Sequence, residues 1–515
     1  MTTTAAKTLG LWNIAAEEPE KTALVDPDGR GVSYGELAAK ANRYSRGLQE
    51  LGLDVGDVVV LLQPNGDELV AAYFAAIQAG LYVVVVNWHL IGPEVAYIIG
   101  DSGAKAFLAH ERFADVAIAA ADEAGLPASA RFAVGNVPGF RRIEELGAGE
   151  GDGRPARRTA GSPMLYTSGT TGRPKGVRRP LTGTDPDEVP AASTWFFGVF
   201  GLGPHDDHVH LCGSPLYHTA VLNFVAISLQ LGHSAVLMDR WDAEDMLRLI
   251  ERHHVTHSHM VPTQFRRLLG LSASVRSQYD LSSLRVMIHG AAPCPLEVKR
   301  QMLAWWGPVV TEYYAATEGG GTVISGEDWL RKPGSVGLPW PGSTIKVLDD
   351  AGVSLPPGET GTVYMQMGSS EFSYHNDPDK TAAARVGKLF TLGDMGHLDS
   401  DGYLFLHDRK ADLIISGGVN IYPAEIEGEL VMHPSVADVA VFGLPHEDWG
   451  EEIKAVVQPA PGVTPSPELT SELLAYAATR LAKFKLPKSI DYLEELPRDP
   501  NGKLYKRHLR AKYVS

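Results

Sequence analysis

An α/β chain of more than one domain is predicted, on three observations. Short β-rich apolar runs, Val58–Leu62 and residues 82–86, alternate with helical stretches at 34–51 and 66–80. That order favours buried, mostly parallel strands covered by helices. A length of 515 residues exceeds what one simple core organises. Near residues 408–412 the character changes. Beyond them, short strands, a helix at 424–432, a strand at 436–442, a helix at 471–481 and a basic tail describe a small α+β domain. Segment 147–162, rich in Gly, Arg and Asp, reads as a loop before a strand at 164–166. No internal repeat or low-complexity tract interrupts this order.

Composition narrows the class. Hydrophobic residues at 44% and charged residues at 21% fit a soluble globular protein. The net charge of −16 argues against a general nucleic-acid or anionic-membrane surface. Two cysteines, Cys212 and Cys294, make neither a disulfide framework nor a zinc site. Residues 1–10 lack an apolar signal core and no apolar run reaches membrane length, so a cytoplasmic enzyme is expected.

The most informative stretch is Tyr166-Thr-Ser-Gly-Thr-Thr-Gly-Arg-Pro-Lys-Gly-Val177. Gly169, Gly172 and Gly176 free the backbone to bring N–H groups close to an anion. The hydroxyls of Thr167, Ser168, Thr170 and Thr171 add neutral donors, and Lys175 adds a positive charge. Such a loop suits a polyphosphate, whereas a plain surface turn needs no ordered pattern of this kind. It differs from the common nucleotide P-loop, because Pro174 precedes the lysine and Gly176 follows it.

Further constellations follow along the chain. Tyr313-Tyr314-Ala315-Ala316-Thr317-Glu318 comes after a strand-like run at 309–313. On its own it reads more often as a strand end leading into a helix start. Gly290-Ala291-Ala292-Pro293 follows a run at 284–288 and is either a tight turn or a flat seat for a ring. Asp394, the Asp399-Ser-Asp-Gly-Tyr403 stretch and Asp408-Arg409 supply carboxylates and a guanidinium able to hold ribose hydroxyls. The Asp-x-Asp-Gly element invites a calcium-loop reading, but the full EF-hand pattern is missing. Gly417-Gly418 precedes Pro423 at a helix entry. Lys503 follows Asn501-Gly502, ordinarily a solvated turn. His218 lies in Pro215-Leu-Tyr-His-Thr-Ala220, where a structural histidine is the ordinary reading. Two histidine groups, His205/His208/His210 and His253/His254/His257/His259, match no standard zinc spacing.

Taken in order from Thr167 to Lys503, these motifs resemble the acyl-adenylate-forming superfamily: acyl-CoA synthetases, aryl-CoA ligases, luciferases and peptide-synthetase adenylation domains. The resemblance implies a large multi-subdomain N-terminal adenylation domain over 1–408, with α/β sheets flanked by helices and a small β-barrel-like part. A small mobile α+β domain over 409–515 would follow, hinged near Ala411.

By the same resemblance, Thr167, Ser168, Gly169, Thr170, Thr171, Gly172 and Lys175 wrap the β- and γ-phosphates of ATP. Gly290, Ala291, Ala292 and Pro293 flank adenine, Tyr314 stacks on it, and Asp394 and Arg409 hold the ribose. Thr317 touches the α-phosphate, Glu318 binds Mg2+, and Lys503 bridges the carboxylate and α-phosphate. Gly417 and Gly418 line the pantetheine tunnel of coenzyme A. His218, grouped with the catalytic residues Lys503, Thr317 and Glu318, acts as an aromatic gate rather than a base. The acyl pocket is expected among Trp195, Phe196, Phe200, Val221, Met260, Val261, Gly290 and Ala315. Ala315 and Ala411 depart from the family, which usually has glycine at the first position and Asp or Lys at the second.

The implied reaction is ATP-dependent acyl-CoA synthesis on a bulky apolar acid. A variant acts mainly on acyl-AMP supplied by a partner adenylating enzyme, and a non-catalytic nucleotide-binding protein is the other alternative. A homodimer is compatible with the resemblance. Neither nucleic acid nor integral membrane association is expected.

Overall fold

The structure is a computed structural model describing residues 8–149, 151–167, 175–316, 319–368, 373–374, 381–382, 384–416, 419–498, 504 and 506–514. Two compact units interleave along the chain. One comprises Met1–His259, Ala273–Met287 and Glu371–Ala383, the other Met260–Ser272, Ile288–Ser370 and Ala384–Ser515.

The first unit contains the expected parallel sheet. Its six strands run in the order Arg141–Arg142, Arg131–Val134, Ala104–His110, Val58–Leu62, Tyr82–Val85 and Ser162–Pro163. Every adjacent pair is parallel. Val58–Leu62 is buried throughout, as a strand covered on both faces must be. Helix Tyr34–Glu50 starts at a reciprocal cap: the Glu36 amide donates to Ser33 Oγ and the Ser33 amide to the Glu36 carboxylate. Helix Asp67–Gln78 is buried on every side, which its Leu-Val-Ala-Ala-Tyr-Phe-Ala-Ala-Ile core permits. A second sheet path runs Gly31–Ser33, Thr22–Val25, Ser234–Leu237, Val209–Cys212 and His257–Met260, parallel from Thr22–Val25 onward.

The second unit holds a run of antiparallel strands: Val310–Ala315, Gly321–Ile324, Ser335–Pro339, Leu404–Arg409, Asp394–Leu398 and Gly361–Met367. Ser343–Leu348 pairs alongside Gly361–Met367. The expected barrel-like part is therefore an open sheet among the described residues. Its far margin, Leu389–Phe390 and Arg385–Val386, consists of two-residue strands that offer too little ladder to close a cylinder.

Toward the C-terminus, Val419–Ile421, Ile414–Ser416, Gly450–Pro459, Val436–His446 and Ser489–Tyr492 form a five-stranded sheet. Helices Pro423–Leu430 and Pro467–Ala478 accompany it, over a core including Ile414, Ile426, Val439, Val441 and Leu473. The second helix begins four residues before the expected 471. Ser466 Oγ accepts from the Leu469 amide and Pro467 occupies the first turn, so the cap sets the start ahead of the apolar stripe.

Candidate active site

The stretch expected to bind phosphate is flanked by two antiparallel strands. Leu165–Thr167 pairs antiparallel with Lys175–Arg178, in the register Thr167 to Lys175, Tyr166 to Gly176 and Leu165 to Val177. The Tyr166 hydroxyl donates to Asp101 at 2.7 Å and anchors the incoming strand. Ser168, Gly169, Thr170, Thr171 and Gly172 lie outside the described residues, as do the side chains of Thr167 and Lys175.

The residues expected around the nucleoside are brought together within the second unit. Strand Val310–Ala315 runs further than 309–313 and includes Tyr314 and Ala315. The Tyr314 hydroxyl donates to Asp394 Oδ2 at 2.6 Å across 80 residues of sequence. Asp394 and Arg409 face each other on neighbouring antiparallel strands, with Arg409 Nε 3.5 Å from Asp394 Oδ1. Gly290 follows strand Val286–His289 and admits no side chain: a Cβ would lie 2.9 Å from the Tyr313 carbonyl oxygen. Ala291 has a φ of 67°, so this short segment turns sharply with a left-handed residue. A bare backbone beside a tyrosine strand suits a flat base. A carboxylate with unused lone pairs beside an arginine suits a ribose diol. ATP fits this donor set.

Beneath that platform lies a group the sequence did not announce. Lys299, buried in helix Leu296–Trp306, donates to Glu312 Oε2 at 2.5 Å. Its ammonium is 5.0 Å from the Trp329 ring centroid. His289 Nε2 lies 3.7 Å from the same carboxylate oxygen. Burial pushes the Glu312 carboxyl above its ordinary range, and Lys299 opposes the shift. Glu312 is two residues before Tyr314 and His289 directly precedes Gly290, so the group ties together the two segments expected to flank adenine. Only the apolar setting of Lys299 in its helix hinted at it.

Two other expectations resolve locally. Asp399 and Asp401 both accept from Lys332 Nζ, at 2.7 and 2.6 Å, so the calcium-like stretch is an ion-paired turn. Ala411 occupies an exposed turn directly after the Lys410 amide donates to the Gly393 carbonyl.

Of the residues expected around the acid, Trp195, Phe196, Phe200 and Val221 belong to the first unit, and Met260, Val261, Gly290 and Ala315 to the second. Phe196 and Phe200 make an edge contact with ring centroids 5.3 Å apart. His218 stands at the N-cap of helix Thr219–Gln230, its ring 4.2 Å from that of Tyr217. Burial, with His259 and His89 nearby, drives its pKa well below the ordinary imidazole value. Such weak basicity suits packing better than proton abstraction. Thr317, Glu318, Gly417, Gly418 and Lys503 lie outside the described residues. The flanking backbone is described at Ser416 and Val419, which pair with each other, and at the bridge between Arg498 and Leu504.

Comparison with known proteins decides the family. Residues 11–370 match the AMP-binding enzyme family and residues 425–503 its C-terminal domain. The chain belongs to the AMP-binding enzyme family. It is 35% identical to the long-chain-fatty-acid–CoA ligase FadD13 of Mycobacterium tuberculosis, over 97% of both chains. It is 34% identical to an indoleacetate–CoA ligase of Aromatoleum aromaticum, over 96% of both. Among solved structures, the o-succinylbenzoate CoA synthetase MenE of Bacillus subtilis superposes with a TM-score of 0.83 at 29% identity over 98% of both chains.

As a member of this family the chain is an AMP-forming acid–thiol ligase that uses ATP, Mg2+ and coenzyme A. Among the described residues, no helix is long and apolar enough to cross a membrane, and no group of His, Cys, Asp and Glu is arranged to hold a metal ion.

Proposed function

We propose that this ligase acts on a bulky apolar acid, whether fatty, aryl or polycyclic, and transfers it to coenzyme A in two half-reactions. The supporting observation is the contrast between a polar nucleoside seat, Tyr314–Asp394–Arg409, and a ring-rich wall at Phe196 and Phe200. The relatives' names point the same way, since they cover a long-chain fatty acid, indoleacetate and ferulate.

In the first half-reaction a carboxylate oxygen attacks the α-phosphorus, the bond to the bridging oxygen breaks, and pyrophosphate leaves. Lys503 offsets charge growing on the transferring group, and Thr317 orients the α-phosphate; positioning and charge neutralisation carry most of this step. Bound Mg2+ would add further neutralisation, with Glu318 as its ligand. In the second half-reaction the thiol of coenzyme A loses its proton and attacks the acyl carbon, and AMP leaves. Between the two, the 409–515 domain turns about Ala411, withdrawing Lys503 and presenting Gly417 and Gly418 to the pantetheine arm. His218 closes the acid mouth.

The test is mass spectrometry of thioesters formed from a mixed acid panel with ATP and coenzyme A. Products confined to acetate-sized acids overturn the substrate class. Thioester from ready-made acyl-AMP, without pyrophosphate release from acid and ATP, would instead favour the reading in which Ala315 and Ala411 mark an enzyme fed by a partner.

A further inference from the structure

Strands Val209–Cys212 and His257–Met260 carry an unusual load of imidazoles on one face. His210 and His257 are register partners on the parallel pair. His208 and His259 stand two residues away, where strand geometry returns a side chain to the same face. All four are buried. Burial lowers His210 to about 3 and His259 to about 4, and carries His257 well below its ordinary value, so these rings are neutral at neutral pH.

A neutral imidazole offers one N–H donor and one acceptor. Around most of the cluster the protein supplies partners. His257 Nε2 lies 3.2 Å from Ser228 Oγ, and its Nδ1 lies 3.1 Å from Thr256 Oγ1. His208 Nδ1 is 3.2 Å from Thr256 Oγ1, and His233 Nε2 is 2.8 Å from the Gly203 carbonyl oxygen. His210 is different: both of its ring nitrogens are buried and neither has a hydrogen-bond partner. Either tautomer strands one donor and one acceptor, and both are costly to leave unmade away from water.

The surroundings of His210 point to what fills that gap. Its ring lies parallel to Phe224, with centroids 6.2 Å apart. Phe224 stacks on His259 at 5.0 Å and contacts Phe196 and Phe200 at 5.6 and 5.8 Å, the two rings assigned to the acid's body. His218, the gate residue, also carries a buried Nε2 without a hydrogen-bond partner. It and His210 both feel His259 electrostatically. A hydrocarbon acid leaves His210 unmatched. A second carboxylate finds only a neutral ring there, which does little to offset its desolvation.

We propose that His210 is a specificity residue that hydrogen-bonds a neutral polar group, a hydroxyl or carbonyl, carried on the far part of the acid's apolar body. The inference rests on the ligase reading above and deepens it: the substrate is an apolar acid with one uncharged hydrogen-bonding substituent.

Matched acid pairs test it on the full-length enzyme with ATP, Mg2+ and coenzyme A: 12-hydroxydodecanoate against dodecanoate, and 4-hydroxycinnamate against cinnamate. The expected result is a kcat/KM at least about tenfold higher for the hydroxylated member of one pair, since a site built around a hydroxyl penalises its loss heavily. His210→Leu then lowers kcat/KM for that acid at least about tenfold more than for its unsubstituted partner, and His210→Asn retains part of the preference. Thioesters formed with no preference for the hydroxylated acid, or a preference that survives His210→Leu, overturn the inference and leave the ligase reading standing. No thioester from any acid overturns the ligase reading itself. Should His210→Leu fail to fold, imidazole 15N resonances of the wild-type enzyme decide. His210 must shift with the hydroxylated acid and not with its partner; equal shifts refute the role.

Discussion

The residues proposed to hold the nucleoside and those proposed to hold the acid are built on opposite principles. Tyr314, Asp394 and Arg409 are joined to one another by hydrogen bonding and charge, over a buried Lys299–Glu312 pair. The face holding His210, His257 and His259 consists of neutral rings, the first and last stacked with Phe224, and its polarity is left partly unmatched. Protein-protein bonds fix the first site before any ligand arrives. The second presents rings and an unfilled valence, and the occupant completes it. A conserved cosubstrate suits the first construction, and a variable acid suits the second.

Acid separates the two sides most sharply. His210, His233 and His259 titrate at about 3, 4 and 4 in the folded protein, against roughly 6.5 when unfolded. Below about pH 6.5 the unfolded chain binds more protons, so stability falls as pH falls, at a slope approaching about 4 kcal/mol per pH unit for three such rings. The loss runs until the folded values near 4 are passed. Hydrogen exchange at pH 5 and 7 should show Val209–Cys212 losing protection before Asp394–Leu398. Equal loss in both strands would erase the contrast.

Next in size is the buried ion pair. Lys299→Met strands the Glu312 carboxylate and should cost about 3–5 kcal/mol in denaturant unfolding, with much of the loss recovered in a Lys299→Met, Glu312→Leu double variant. A loss below about 1 kcal/mol would mean the pair is not buried as described. Asp394→Asn weakens contacts to Tyr314 and Arg409. It should reduce kcat/KM for ATP by about 30–100-fold, corresponding to about 2–3 kcal/mol, while KM for the acid moves little; equal change in both would blur the division of labour. Smallest is Ser33→Ala, which removes half of a reciprocal cap and should cost about 1 kcal/mol with turnover retained. Calorimetry beside a turnover assay checks it.

These differences also explain what the sequence made legible. Strands such as Val58–Leu62 stand out because continuous apolar runs have few other fates. Tyr314, Asp394 and Arg409 stood out because they sit in short recognisable motifs, although the 80-residue reach from Tyr314 to Asp394 appears only in the fold. The imidazole face was harder. Spacing of two at His208/His210 and at His257/His259 does signal one side of a strand, but histidine in clusters suggests metal before it suggests packing. Lys299 and Glu312 lie 13 residues apart on different elements, so nothing local joins them. Sheet closure depends on how far the last strands extend, and Arg385–Val386 is too short in a way composition does not reveal.

Gly290 carries one more consequence. Because even a methyl group there meets the backbone of Tyr313, position 290 has no room to vary, and a change would be transmitted to the strand bearing Tyr314. Trp195, by contrast, is 39% exposed on helix Val189–Gly198. Substitution there disturbs little of the interior. Divergence toward new acids, natural or in a laboratory library, therefore has an open route through that helix and a closed one through the glycine turn.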